Sequence, residues 1–121
     1  MKIAVSSTGK NLDDSIDQRF GRCAYFIVVD SESLEYEAIE NPGSKAMGGA
    51  GTVAVQSVAG KGVEAVVTGE CGPKAYESLK AAGIRIFTGA SGSVKEGIDL
   101  FKSASLREAS GPTSPPHTGM R

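Results

Sequence analysis

The chain has few of the residues on which several common functions depend. It carries one histidine and two cysteines among 121 residues, and its net charge is −1. Two distant cysteines are not the disulfide framework of a secreted protein, so we expect free thiols or ligands in a reducing compartment. A charge so close to zero predicts no general surface for nucleic acid. No apolar run is long enough to cross a bilayer, and the N-terminus enters a strand rather than a signal peptide, so we expect a cytoplasmic protein that binds no membrane.

What the sequence does contain is a succession of strand and helix patterns in the order β-β-β-α-β-α-β-α. The predicted strands cover residues 3–7, 25–30, 34–40, 65–68 and 84–87, and the predicted helices cover residues 49–59, 73–82 and 94–103. Ser93 and Glu96 form the pattern of a capping box before the last helix.

A short connection between the second and third strands predicts an antiparallel hairpin. Right-handed crossover connections then put the fourth and fifth strands on the other side of strand 1. We therefore predict an α/β protein with a ribonuclease-H-like three-layer α/β/α arrangement. Its mixed five-stranded sheet has the order 3-2-1-4-5, with only strand 2 antiparallel. The predicted domain covers residues 1–108, and residues 109–121, which include several Pro, Ser and Gly, are predicted to be a flexible tail.

Three short glycine-marked segments stand out because they do not resemble core. They are residues 19–23 (Arg-Phe-Gly-Arg-Cys), 48–51 (Gly-Gly-Ala-Gly) and 68–73 (Thr-Gly-Glu-Cys-Gly-Pro). In the predicted topology they share the carboxyl end of the parallel strands, where open α/β sheets bind ligands. Cys23 and Cys71 would lie roughly 10 Å apart, too far for a disulfide but suited to two walls of a cleft. The pattern predicts a site for something anionic, metallic or both.

The glycine-rich loop and the cysteines each allow two interpretations. Residues 48–51 precede a helix whose free N–H groups and dipole favour an anion, although a tight turn into a closely packed helix explains them equally well. Cys71 precedes the next helix, a position that lowers a thiol pKa and suits a thiolate ligand or nucleophile. Taken alone, it fits a buried structural cysteine slightly better. Cys23 is a weaker candidate for the same role.

The charged candidate residues also allow two interpretations. Arg19 and Arg22 are able to bind an anion, but a pair of solvated surface arginines is the usual case. His117 is the only histidine and falls in the predicted tail, where it is either inert or a mobile ligand.

Catalysis has little support in the sequence. A two-metal nuclease of ribonuclease-H-like fold needs a carboxylate on its first strand, and residues 3–6 contain none. Ser6 and Ser7 have no histidine within the predicted domain to act as a base. No group of residues has the spacing of a structural zinc site. We therefore predict that the protein is not an enzyme, and a hydrolase with an unrecognised site or a protein that acts only by interaction remain as weaker alternatives.

At the three glycine-marked segments the chain resembles the dinitrogenase iron–molybdenum cofactor biosynthesis family, which includes NifX, NafY and the C-terminal domain of NifB. The resemblance covers roughly residues 2–102. Beyond the three segments it rests on residues 3–6, Tyr25-Phe26, Asn41-Pro42, Gly62-Val63, Lys74-Ala75 and residues 81–84. The order and spacing of these pieces are specific, and the family's fold is the α/β/α arrangement predicted above.

The resemblance implies binding or carriage of an iron–sulfur or iron–molybdenum-type cluster, as an accessory to metallocluster assembly. Such clusters are anionic, take thiolate or imidazole ligands and are stabilised by nearby arginines and N–H groups. Nitrogenase-associated members carry His-Phe-Gly where this chain has Arg19-Phe20-Gly21. A simpler iron–sulfur cluster, or a role outside nitrogen fixation, is therefore implied at least as strongly as the nitrogenase cofactor.

The predicted site and partners follow from both lines of reasoning. The predicted cargo-binding residues are Arg19, Phe20, Gly21, Arg22, Gly48, Gly49, Ala50, Gly51, Gly69, Gly72 and Pro73, and the predicted metal ligands are Cys71, Cys23 and His117. Unidentified cluster donor and recipient proteins are the expected partners of a monomer or weak homodimer. The alternative function is a metal-free module that binds small anions or nucleotide phosphates.

Overall fold

A computed structural model of the chain describes residues 1–113. Its strands are β1 (Lys2–Ser7), β2 (Tyr25–Asp30), β3 (Tyr36–Glu40), β4 (Ala65–Val67), β5 (Arg85–Thr88) and β6 (Arg107–Glu108). Its helices are α1 (Ala50–Ala59), α2 (Pro73–Ala81) and α3 (Val94–Lys102), and a 3₁₀ helix (Pro42–Lys45) precedes α1. No helix within the described residues is long and apolar enough to span a membrane.

The strands form one mixed sheet of order β3-β2-β1-β4-β5-β6. Strand β1 is antiparallel to β2 and parallel to β4, and β4 is parallel to β5. The α/β fold and the order of the first five strands are therefore confirmed. The expectation of five strands was one too few, because Arg107 and Glu108 add β6 antiparallel to Thr88 and Phe87. Strand 2 is accordingly not the only reversed strand.

Alternation of side chains along the strands produces two apolar clusters, one on each face of the sheet. On one face Ala4 and Val66 pack with Val58 of α1 and Leu79 of α2. On the other face the cluster includes Ile3, Val5 and Val67 with Ile98 of α3. The sheet is thus covered by helices on both sides, which is the predicted three-layer arrangement.

Helix α3 begins as its sequence predicts. The Ser93 Oγ accepts a hydrogen bond from the Glu96 N–H at 3.1 Å, and the Glu96 carboxylate accepts one from the Ser93 N–H at 2.7 Å. This capping box satisfies two N–H groups that a helix leaves without an intrahelical partner. Helices α1 and α2, which pack on the other face of the sheet, begin without a side-chain cap.

The chain after β6 stays against the sheet for several residues. Ala109 donates its N–H to the Ile86 carbonyl at 2.8 Å, and Thr113 donates its N–H to the Cys71 carbonyl at 2.9 Å. The domain boundary at residue 108 remains a prediction. His117 and the rest of the predicted tail lie outside the described residues.

Candidate functional site

The first and third glycine-marked segments run side by side at the carboxyl end of β1 and β4. Arg19 and Glu70 form an isolated parallel bridge. The Glu70 N–H donates to the Gln18 carbonyl at 2.7 Å, and the Phe20 N–H donates to the Glu70 carbonyl at 3.2 Å. The loop that precedes β2 and the loop that follows β4 are therefore held together by backbone hydrogen bonds.

The second segment joins them through close glycine contacts. A Cβ on Gly21 would lie 3.3 Å from both the Cα and the N of Gly51. A Cβ on Gly51 would in turn lie 3.1 Å from the Cβ and the N of Ala75. The start of α1 is thus packed between the residue 19–23 segment and the start of α2, at distances where a side chain at Gly21 or Gly51 would displace its neighbour by a few tenths of an ångström. The structure brings all three segments together.

This packing places the N-termini of two helices side by side. Gly49 is the N-cap of α1 and Gly72 is the N-cap of α2, and neither supplies a side-chain cap. Neither helix has an acidic residue in its first turn. The first N–H groups of a helix have no intrahelical acceptor and carry the positive end of its dipole. The adjoining ends of α1 and α2 therefore form a region of positive potential, which favours an anion.

The loop before α1 is open toward solvent. Gly48 and Gly49 are exposed, and a Cβ built on either would meet nothing within 4 Å. Gly49 has a φ of +70°, in the left-handed region that favours glycine. Met47 is completely exposed. The backbone of this loop is therefore accessible to a ligand on its outer side.

The two arginines occupy different environments. Arg22 donates from Nη1 to the Ala46 carbonyl at 2.6 Å and lies 3.4 Å from the Gly43 carbonyl, so it fastens the loop that leads into α1. Arg19 is largely exposed, with an ion pair of 3.4 Å between its Nε and the Asp17 carboxylate. An exposed pair of this kind contributes little to stability. Arg19 is thus the freer cation of the two.

Both cysteines are free thiols, and both are fully buried in the apolar cluster under α1 and α2. Burial raises the pKa of Cys71 to about 12. Burial therefore acts against the lowering of the pKa that a position before a helix favours. Burial, and next the charge of Asp17, raise the pKa of Cys23 to about 12. The Cys23 thiol also donates to the Phe20 carbonyl at 3.4 Å.

Two further predicted residues support the site rather than face a ligand. Phe20 is 1% exposed, and its ring centroid lies 5.0 Å from that of Phe26. Gly69 is buried, and a Cβ there would lie 2.8 Å from the Gln18 Cα. Within residues 1–113 no group of three or more His, Cys, Asp or Glu side chains could hold a metal ion. The described residues bring thiols, cations and backbone N–H groups to this region.

Asn41 is the residue whose role sequence analysis missed. Its Nδ2 donates to the Gly21 carbonyl at 3.0 Å and to the Cys23 carbonyl at 2.9 Å, and its Oδ1 accepts from the Gly43 N–H at 2.9 Å. The side chain thus links the residue 19–23 segment to the loop before α1. The Asn41-Pro42-Gly43 sequence marked a turn, but nothing in it indicated which carbonyls the amide would bind.

This α/β/α fold has an anion-favouring region at the carboxyl end of its parallel strands, the place where open α/β sheets commonly bind ligands. The chain matches the sequence profile of the family described as Dinitrogenase iron-molybdenum cofactor over residues 1–104. The protein therefore belongs to this family, and the family resemblance drawn from its sequence is confirmed.

Several proteins of known sequence or structure are similar to nearly the whole chain. An uncharacterized protein of Methanocaldococcus jannaschii is 35% identical over 111 residues, which cover 89% of this chain and 91% of that one. The apo form of the orange protein from Desulfovibrio gigas is 36% identical with a TM-score of 0.90, over 93% of this chain and 96% of that one. A proposed NifB protein from Thermotoga, of the DUF35 family, is 39% identical with a TM-score of 0.81, over 93% of this chain and 97% of that one.

Proposed function

We propose that the protein binds or carries an anionic metal–sulfur cluster, of iron–sulfur or iron–molybdenum type, as a non-catalytic cytoplasmic accessory to metallocluster assembly. The observation that carries this proposal is the meeting of the uncapped N-termini of α1 and α2 beside Arg19, in a chain of this family. The cargo is the protein's transient ligand, and unidentified donor and recipient proteins are its proposed partners.

The electrostatics of the region suit such a cargo. Each helix N-terminus is equivalent to roughly half a positive charge, and here two of them adjoin. Arg19 is exposed beside them, and the glycines of the residue 48–51 loop allow a close approach to the backbone N–H groups. An anionic cluster gains hydrogen bonds to its sulfides from donors of this kind.

Cys71 is the better candidate for a direct metal ligand. It immediately precedes Gly72, the N-cap of α2. Burial is the only cause that raises its pKa, whereas Cys23 also faces the negative charge of Asp17. A thiol must lose its proton to bind a metal, so cargo binding must offset the cost of a buried thiolate at either position. Because both pKa values are raised to about 12, that cost is similar at the two positions, and it is the location of Cys71 directly before α2 that favours it.

The buried, protonated thiols also favour one alternative. A module that binds small anions or nucleotide phosphates would use the same helix N-termini and would leave both thiols protonated. On this hypothesis neither cysteine touches the ligand. The two functions therefore differ in whether binding depends on Cys71.

The test is anaerobic reconstitution of the purified protein with iron and sulfide, followed by absorption spectroscopy and by iron and sulfide analysis. We expect a stoichiometric cluster in the parent, its loss in Cys71→Ala, and a weaker effect in Cys23→Ala. Arg19→Gln should lower the affinity several-fold, because it removes a cation beside the anionic cargo. Arg107→Gln is the matched control, since it removes an exposed arginine from β6 and should leave binding unchanged.

The possible results separate the hypotheses. Full loading of both cysteine variants would show that the ligand assignment is wrong. An absence of cluster in the parent, together with phosphate binding that survives both cysteine substitutions, would replace the proposed function by the anion-binding module. Equal losses in Arg19→Gln and Arg107→Gln would mean that net charge, rather than this site, determines the affinity.

A further inference from the structure

The segment that follows β6 crosses from the last strand to the loop of the candidate site. We call residues 109–113 the C-terminal strap. At its near end Ala109 donates its N–H to the Ile86 carbonyl at 2.8 Å and packs against the apolar cluster that contains Cys71. The preceding residue, Glu108, is held by a two-pronged contact of its carboxylate with Arg85, at 2.8 and 3.1 Å. The near end is therefore firmly attached.

At its far end the strap binds Cys71 itself. The Thr113 N–H donates to the Cys71 carbonyl at 2.9 Å, and the Cys71 N–H donates to the Thr113 Oγ1 at 2.8 Å. Both backbone polar groups of Cys71 are thus occupied by a single residue that comes 42 positions later. Gly72, the next residue, is the N-cap of α2. The strap therefore ends at the edge of the region proposed to hold the cargo.

Between these two attachments the strap is loosely held. Residues 110–112 form no backbone or side-chain hydrogen bond with any described residue. Pro112 has no N–H to donate, and Thr113 is exposed. A segment with few hydrogen bonds and exposed residues opens at low free energy compared with the sheet. The far end is consequently the part that separates first.

We propose that the C-terminal strap is a reversible cover that governs access to Cys71. When Thr113 is bound, both backbone polar groups of Cys71 are held and its thiol stays buried in the apolar cluster. When Thr113 separates, the backbone of Cys71 is freed and the thiol becomes accessible from the strap side. The purpose of this movement rests on the proposed function, in which Cys71 is the metal ligand. The movement itself takes place in the protein without its cargo.

The experiment measures alkylation of each cysteine by iodoacetamide in the metal-free full-length protein, with quantification of the modified peptides by mass spectrometry. Thr113→Val keeps the shape of the side chain and removes the Oγ1 acceptor, so we expect Cys71 to react roughly fivefold faster, as loss of one neutral hydrogen bond allows. Thr113→Pro removes the N–H donor as well and should accelerate the reaction by roughly tenfold or more.

Two controls make the result specific. Ser110→Ala changes a strap residue that forms no hydrogen bond with another residue of the described range 1–113, and it should leave the rate at Cys71 unchanged. Cys23 lies in the same apolar cluster but is not bound by the strap, so its rate should stay constant in every variant. An unchanged rate at Cys71 in Thr113→Pro would overturn the proposal.

Equal acceleration at Cys23 and Cys71 would also overturn it, because the substitutions would then act by opening the whole domain. The assay contains no iron or sulfide. A result that contradicts the strap proposal is therefore distinguishable from a result that contradicts cluster binding.

Discussion

Gly43→Ala tests whether the loop before α1 is packed as tightly as the structure indicates. Gly43 is buried, and a Cβ built on it would lie 2.6 Å from the Ala50 carbonyl oxygen and 3.0 Å from that of Gly21. Both neighbours are backbone atoms, so neither can rotate away as the end of a side chain would. The φ of Gly43 is outside the left-handed region, so the predicted cost is steric.

Overpacking a closely packed site costs about 1–3 kcal/mol, and the lower chain entropy of alanine returns about 0.4–1 kcal/mol. We therefore expect Gly43→Ala to lower the free energy of unfolding by about 1–2 kcal/mol. With a urea dependence of about 1–3 kcal/mol/M, the unfolding midpoint should fall by roughly 1 M.

The matched control is Gly48→Ala, in the same loop, where a Cβ would meet nothing within 4 Å and φ is not positive. We expect its midpoint to stay within about 0.3 M of the parent's, because a compatible Gly→Ala change is neutral or mildly stabilising. Equal midpoints for Gly43→Ala and Gly48→Ala would refute the argument. They would mean that the contact between the loop and Ala50 is loose enough to absorb a methyl group.

Two further predictions concern the polar and titrating groups of the same region. Asn41→Ala should lower the free energy of unfolding by about 2–4 kcal/mol. Asn41 is 2% exposed, and the loss of its side chain leaves the Gly43 N–H and the carbonyls of Gly21 and Cys23 without their hydrogen-bond partner. A loss of less than about 1 kcal/mol in urea unfolding would contradict this role. Alkaline pH should destabilise the parent more than a Cys23→Ala/Cys71→Ala variant. The pKa of each thiol in the folded protein, about 12, exceeds the ordinary value of 9.0. The stability that the neutral thiols contribute is therefore complete below pH 9 and is lost as the pH rises towards 12. The unfolding free energies should diverge by up to about 1.4 kcal/mol per pH unit and thiol above pH 9, and parallel pH profiles would contradict the burial of the thiols.

The fold was largely predictable from the sequence because its signals are local and strong. The β-branched and aromatic run that forms β2 begins and ends where it was expected, at Tyr25 and Asp30. Ser93 and Glu96 likewise marked the start of α3. Strand β6 was not predictable, because two exposed residues have no periodicity. It exists because α3 returns the chain to the edge of β5, where Arg85 binds Glu108.

The site was predictable as a location but not as an arrangement of contacts. Topology alone placed the three glycine-marked segments at one end of the sheet, and the structure does bring them together. The carbonyls that Asn41 binds and the pairing of Thr113 with Cys71 depend on tertiary contacts 18 to 42 residues apart in the sequence. Sequence offers no local signal for contacts of that kind.

The burial of Cys71 connects the candidate site to the strap. A helix N-terminus stabilises a thiolate only where desolvation does not cost more, and in the closed protein burial raises the pKa of this thiol to about 12. Metal binding by this thiol therefore requires the loss of its proton, which its apolar surroundings oppose. Among the described residues, Thr113 is the long-range hydrogen-bond partner of both the N–H and the carbonyl of Cys71. On our proposals, then, separation of Thr113 frees the backbone of Cys71 and lets its buried thiol reach a metal, whereas the bound strap prevents an empty carrier from exposing a reactive thiolate.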